Sequence, residues 1–77
     1  MKSVYKEKAK FVSDLCDLLR TDPRSSVDLL HYEVRIEGGH TDEIVHICYE
    51  GGHRTKLLVT ADSKGAILKA IANEVYK

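Results

Sequence analysis

The chain has 77 residues, of which 43% are hydrophobic and 31% charged, and its 12 lysines and arginines balance 12 aspartates and glutamates. This composition is typical of one globular domain over residues 1–77 and excludes the disordered class, which combines low hydrophobicity with high net charge. The zero net charge disfavours a strong nucleic-acid binder, because phosphate contacts require a basic excess. No apolar run predicts a membrane span or a signal peptide. We therefore expect a cytoplasmic protein in which Cys16 and Cys48 are free thiols.

Residues 4–20 predict an amphipathic helix. Apolar side chains recur there at spacings of three and four residues, and the charged side chains fall mostly on the other side. The apolar stripe comprises Val4, Phe11, Val12, Leu15, Leu18 and Leu19. The helix ends in residues 21–26, because Pro23 disfavours helical backbone in the residue before it.

From Val27 the apolar period changes to two, which predicts half-buried strands. In the first strand, alternate residues form the apolar face: Leu30, Tyr32, Val34 and Ile36. A second strand is predicted over residues 42–50, with an apolar face of Val45, Ile47 and Tyr49, and a third over residues 54–60. Glycine pairs precede the second and third strands and indicate turns.

The apolar faces also predict the pairing of the strands, because a slip of one residue would turn every side chain to the other face. For the first hairpin we expect a four-residue turn over residues 38–41, which pairs Val34 with Val45 and Tyr32 with Ile47. For the second hairpin we expect a three-residue turn over residues 51–53. This turn pairs Ile47 with Leu57 and Val45 with Val59, and it sets Glu50 opposite Arg54.

The last segment, residues 62–76, predicts a second amphipathic helix with Thr60 or Asp62 as its N-cap. Its apolar stripe comprises Ile67, Leu68, Ile71 and Val75. Short connections between the strands favour an antiparallel meander, whose apolar face must be covered by the two helices. The predicted fold is therefore a two-layer α+β domain of order α-β-β-β-α, with both helices on one face of the sheet and the other face open.

The sequence Glu-Gly-Gly-His occurs twice, at residues 37–40 and 50–53. Glutamate and histidine are possible metal ligands. Successive turns of a meander lie at opposite ends of the sheet, however, so the two copies cannot share one site within a single chain. We interpret both as turns that use glycine for a positive φ angle.

A second cluster lies on the open face. His46 and Cys48 are two residues apart on one strand, and the expected pairing sets His31 opposite Cys48 and Glu33 opposite His46. These residue types can bind zinc or activate a thiolate. A metal or thiol site is therefore predicted at His31, His46 and Cys48.

The open face also carries a mixture of apolar and basic residues that is typical of a docking surface: Arg35, Ile44, Lys56 and Leu58. Lysines of the first helix, including Lys6 and Lys10, indicate a separate electrostatic surface that could bind phosphates.

The order helix, three strands, helix resembles that of the double-stranded RNA-binding domain, over nearly the whole chain. That family carries a Gly-Pro-x-His motif between its first two strands, and residues 38–40 are similar but lack the proline. Its second helix opens with phosphate-binding lysines, and Lys64 and Lys69 resemble these. The resemblance implies RNA contacts through His40, Lys64, Lys69 and the lysines of the first helix. Residues 59–63 and the helix after them are also similar to small uncharacterised proteins of bacterial prophages and conjugative elements.

These observations leave three hypotheses open. The preferred one is a non-enzymatic binding module whose open sheet face or edges contact a protein, including a second copy of the chain. The alternatives are a nucleic-acid-binding domain of the double-stranded RNA-binding type and a zinc or thiol site. No nucleophile, base and orienting group can be assembled from the spacing of residues, so we expect neither an enzyme nor a cofactor.

Overall fold

The computed structural model describes residues 2–77, which fold into a helix, three strands and a second helix. The elements are α1 (Ser3–Arg20), β1 (Val27–Glu37), β2 (His40–Tyr49), β3 (Arg54–Leu58) and α2 (Lys64–Val75). The strands form one antiparallel sheet in the order β1-β2-β3. The predicted α-β-β-β-α meander is therefore confirmed. None of the helices in residues 2–77 is long and apolar enough to span a membrane.

Both helices pack on the same face of the sheet, as predicted, but three residues of their predicted apolar stripes, Val4, Leu18 and Leu68, are exposed. α1 packs mainly on β1, and the buried residues of α1, α2 and the three strands join in one apolar cluster. Its largest fully buried members are Ile47, Ile67, Ile71, Val12, Val27, Val45 and Val59. The sheet face away from the helices has no layer over it in residues 2–77, and we call it the open face.

The first hairpin differs from the prediction in its turn. Only Gly38 and Gly39 form the turn, both with positive φ (55° and 78°), as a two-residue type I′ turn requires. The predicted four-residue turn is wrong, and the pairing shifts by two residues, so that Tyr32, and not Val34, lies opposite Val45. A shift of two residues keeps every side chain on its face, and the predicted apolar face is therefore unchanged.

The second hairpin shows a similar difference. The backbone N–H of Tyr49 donates to the carbonyl oxygen of His53 at 2.8 Å. The turn therefore has three residues, as predicted, but begins one residue earlier than predicted. Val45 consequently lies opposite Leu57, and not Val59.

The residue that caps the start of α2 also differs from the prediction. The N-cap is Ser63, whose hydroxyl oxygen accepts a hydrogen bond from the N–H of Ala66 at 3.1 Å, and neither Thr60 nor Asp62 has this role. The hydroxyl oxygen of Thr60 instead accepts from the backbone N–H of Glu43 at 3.0 Å. Thr60, which the sequence suggested as an N-cap of α2, thus attaches the loop after β3 to the central strand.

A buried ion pair connects α1 to the central strand. Lys8 Nζ lies 2.8 Å from Glu43 Oε1, and the two residues are only 7% and 3% exposed. The hydroxyl of Tyr32 donates to the same carboxylate oxygen at 2.6 Å, and the N–H of Ala61 donates to Oε2 at 2.7 Å. Each carboxylate oxygen therefore has a donor, which is the condition under which a charge can be buried.

The network shifts the pKa values of its two acids in opposite directions. Burial raises the pKa of Glu43, but hydrogen bonds from Lys8, Tyr32 and Ala61 outweigh it and hold that pKa below its ordinary value. Burial and the neighbouring carboxylate raise the pKa of Tyr32 far above its ordinary value. Glu43 is thus held as a carboxylate and Tyr32 as a neutral donor.

Loss of one member of this pair should unfold much of the population. Removing one partner of a buried ion pair costs about 3–5 kcal/mol, and a domain of this size has a stability of only about 3–5 kcal/mol. We expect Glu43→Ala to lose most of the free energy of unfolding, as measured by urea denaturation followed by circular dichroism.

Two further variants make this test specific. Asp14→Ala, which removes the exposed pair with Lys10, should change stability by less than about 1 kcal/mol. The double variant Lys8→Met/Glu43→Leu should be more stable than either single variant, because it leaves no unpaired buried charge. Near-native stability of Glu43→Ala would contradict the assigned role of the pair.

Candidate protein-binding surface

Strand alternation positions a mixed set of side chains on the open face, including the four predicted there. Arg35, Lys56 and Leu58 are exposed or half-buried, and Leu58 is 70% exposed. Ile44 also belongs to this face but is only 9% exposed. It lies on the central strand between Glu33 and Leu58, so neighbouring side chains cover it and it offers little surface to a partner.

The open face contains a shallow groove of about 580 Å³ near the turn between β2 and β3. The side chains that line it come from all three strands: Leu29, His31, His46, Cys48, Arg54 and Lys56. Ile47 and Thr55 also border it, but they occupy alternate strand positions whose side chains face the helices. We call this depression the open-face groove. Two side chains that carry fixed positive charge line it, and no carboxylate does, so the groove favours an anionic ligand.

The two histidines of the groove lie side by side. His31 is directly opposite His46, and their rings are stacked with centroids 5.9 Å apart and planes inclined by 28°. The predicted pairings of His31 with Cys48 and of Glu33 with His46 are wrong, because the shorter first turn moves each partner by two residues. The stacked imidazoles form a flat wall on one side of the groove.

Glu33 fixes the orientation of one imidazole. Its Oε1 lies 2.7 Å from Nε2 of His46 and 3.3 Å from a guanidinium nitrogen of Arg35. The hydrogen bond with His46, aided by the charge of Arg35, lowers the pKa of Glu33. An ionised carboxylate only accepts hydrogen bonds, so Nε2 of His46 carries the hydrogen and Nδ1 remains for other contacts.

The predicted metal site gains no support from this geometry. His31, His46 and Cys48 line the same groove, but residues 2–77 contain no group of three or more His, Cys, Asp or Glu side chains arranged to hold a metal ion. Cys48 is a free, half-buried thiol. The zinc hypothesis stays a prediction from sequence.

The residues predicted to bind nucleic acid are only partly brought together. Lys10 and Lys64, from different helices, line one small depression, although Nζ of Lys10 is 3.2 Å from a carboxylate oxygen of Asp14. Lys6 and Lys69 are exposed on α1 and α2. His40 follows the first turn, where Nε2 lies 3.0 Å from Oδ1 of Asp42.

Sequence reasoning missed two residues of the groove, Leu29 and Arg54. The backbone is irregular between Val27 and Leu29, which interrupts the alternation at the start of β1. Counting back from His31 in steps of two gives Leu29 as an open-face residue, so the signal was present. Arg54 was assigned instead to a cross-strand pair with Glu50, whereas it lies opposite Cys48.

Comparisons of the chain with protein-family models, with curated proteins and with solved structures find no match. The likeness to the double-stranded RNA-binding domain therefore rests on the order of elements, on residues 38–40 and on Lys64 and Lys69. It stays a prediction, as does the likeness to proteins of bacterial mobile elements.

Replacing His46 should raise the pKa of Glu33 towards its ordinary value of 4.5. The folded-state pKa is lowered, so the interaction stabilises the fold above that value and is lost as pH falls through the folded-state pKa. NMR titration of the Glu33 carboxyl carbon in His46→Ala measures this shift. Cys48→Ala, on the same strand and face, is the control and should leave the titration unchanged. Equal titration curves in the two variants would disprove the contact.

Proposed function

We propose that the chain is a small non-enzymatic binding domain that contacts a protein partner through the open face, with the open-face groove at the centre of the contact. The observation that carries this proposal is the groove itself: an uncovered depression on the sheet, lined by Arg54 and Lys56 and by no carboxylate. Its charge favours a partner segment that carries aspartate or glutamate side chains.

The composition of the surface supports a protein partner. Leu29 and Leu58 are both large exposed apolar residues, and the buried centre of a protein interface is more apolar than the rest of the surface and enriched in arginine. A partner with alternating acidic and apolar residues would meet both the cations and the leucines of this face.

The positions of the titrating groups favour binding over catalysis. Enzyme sites place groups of strongly shifted pKa where a substrate reaches them. Tyr32, which has the largest shift, is buried with Lys8 and Glu43 on the opposite side of the sheet. We further infer that the domain works in the reducing cytoplasm, because Cys16 and Cys48 are unpaired thiols.

A model ligand tests the proposal. A peptide of alternating glutamate and leucine, titrated into labelled protein, should shift the backbone amide signals of His46, Cys48 and Lys56. The double variant Arg54→Glu/Lys56→Glu should weaken this binding by at least about tenfold, because it reverses the charge of the groove.

Two controls make the result decisive. A peptide of alternating lysine and leucine should not bind, and Lys6→Glu/Lys69→Glu, an equal change of charge on the helices, should bind like the unmodified protein. Signal shifts spread over α1 and α2, or equal binding of both peptides, would contradict the proposal.

A second candidate function is duplex RNA binding, and the observation that favours it is the depression that Lys10 and Lys64 share, although Glu7 and Asp14 line it too. The resemblance to the double-stranded RNA-binding domain implies that the first helix and the start of the second contact the same duplex. A gel shift at about 50 mM salt that disappears by about 200 mM is the expected result. It should be lost in Lys10→Glu/Lys64→Glu and kept in Arg54→Glu/Lys56→Glu. No shift at low salt dismisses this candidate.

A further inference from the structure

The outer edge of β1 is partly unpaired, because β1 is a terminal strand of the sheet. Glu37 and His40 flank the two-residue turn and therefore form a pair that exchanges both backbone hydrogen bonds. Along β1 towards its start from this pair, every second residue turns its backbone N–H and C=O groups away from β2. These residues are Leu30, Tyr32, Val34 and Ile36.

Only the first of these outward positions has a partner. The N–H of Leu30 donates to Sγ of Cys16 at 3.3 Å, so α1 protects the edge there. Among the hydrogen bonds of residues 2–77, none reaches the outward backbone groups of Tyr32, Val34 and Ile36. An unpaired edge of this length is a site at which another strand can add.

α1 leaves this part of the edge accessible. Near Leu30, α1 contacts the outer edge of β1 through Cys16. Closer to the start of α1, the side chain of Lys8 bonds to Glu43 on the central strand. α1 packs on β1, but it leaves the second half of that strand less covered, because residues 33–37 are half-buried or exposed. Ile36, which alternates onto the helix side of the sheet, is 69% exposed.

The sequence of this edge is complementary to itself. When two copies of β1 are paired antiparallel about Val34, each residue before the centre meets the residue equally far after it. The resulting pairs are His31 with Glu37, Tyr32 with Ile36, Glu33 with Arg35, and Val34 with Val34 of the second copy. Every acidic residue then faces a basic one, and the exposed Ile36 packs beside an aromatic ring.

Other registers are less favourable. An axis through Ile36 would also set Arg35 opposite Glu37, but it would pair Val34 with Gly38 of the turn. A two-fold axis through Glu33 or through Arg35 would set like charges directly opposite each other, which destabilises a strand pair. An axis at Tyr32 would require the N–H of Leu30, which already donates to Cys16. The register with its two-fold axis at Val34 therefore combines two features. Its central residues have unpaired outward backbone groups, and the charges on both sides of the axis are complementary.

We propose that two copies of the chain pair their β1 edges antiparallel about Val34 and form a continuous six-stranded sheet. An axis perpendicular to the sheet keeps all four helices on one side and joins the two open faces on the other. The contact does not rest on the proposed ligand of the open-face groove, although it sets Glu37 of the second copy beside His31, which lines that groove. A single strand pair is at the small end of protein interfaces, below about 1,200 Å², so the dimer dissociates on dilution.

Sedimentation equilibrium over a range of concentrations tests this pairing. The mass of the unmodified chain should rise from 8.7 kDa towards twice that value. Glu33→Arg and Arg35→Glu should each weaken the dimer by at least about tenfold, because like charges then oppose each other across the two-fold axis. An equimolar mixture of the two variants should recover the dimer, because every pair in the heterodimer is again of opposite sign. The double variant E33R/R35E should also dimerise.

Hydrogen exchange locates the contact. The Val34 amide should become protected as the protein concentration rises, whereas the Arg35 amide, which faces β2, should be protected throughout. Circular dichroism of Arg35→Glu should match that of the unmodified protein, since the Arg35 side chain is 45% exposed.

Three results would overturn the proposal. These are a monomer at millimolar concentration, a dimer that survives each single charge reversal, and a mixture of the two variants that stays monomeric. Arg54→Glu/Lys56→Glu should still dimerise, so loss of ligand binding at the groove and loss of the dimer are separately measurable.

Discussion

The carboxylate of Glu43 organises the contacts between the layers of this domain. It sits on the helix-facing side of the central strand, where Lys8 neutralises its charge and Tyr32 donates a hydrogen bond to it. An ion pair at such a position adds little net stability compared with apolar residues of similar volume. Its effect is on specificity, because only one placement of α1 over the sheet gives this carboxylate its donors.

The same residue determines how the chain leaves the sheet. Ala61 has a positive φ of 63°, a conformation that costs about 1 kcal/mol or more for a residue with a side chain. Its N–H donates to Glu43, and the backbone N–H of Glu43 in turn donates to Thr60. These two hydrogen bonds, with those from the N–H of Val59 to the carbonyl oxygen of Glu43 and from the hydroxyl of Thr60 to Asp42, hold the loop after β3. α2 begins where this loop directs it, at Ser63 rather than at the earlier capping candidates.

The alternation of apolar and polar residues was sufficient to predict the order of elements, the layers and the face of most strand side chains, but not at the irregular start of β1 between Val27 and Leu29. It could not predict the register, because a shift of two residues leaves that alternation unchanged. The turn conformations decide the register, and a Gly-Gly pair is compatible with turns of several lengths.

The burial of Glu43 could not be read from the sequence either. Its partner Lys8 is 35 residues away, and both residues have the polar character of a solvated surface. For the candidate site, the sequence placed His31, His46, Cys48 and Lys56 on one face, but their mutual distances depended on the register that it had wrong.

The separation of the two sheet faces has a consequence for how such a domain can change over time. Nearly all buried residues lie on the helix side, while the groove residues on the other side make few contacts that the fold requires. Substitutions of exposed groove residues such as Leu29, Arg54 and Lys56 should therefore change the free energy of unfolding little. A lineage of such domains can accumulate different open faces on one unaltered scaffold, and each new face can be selected for its ligand without loss of the fold.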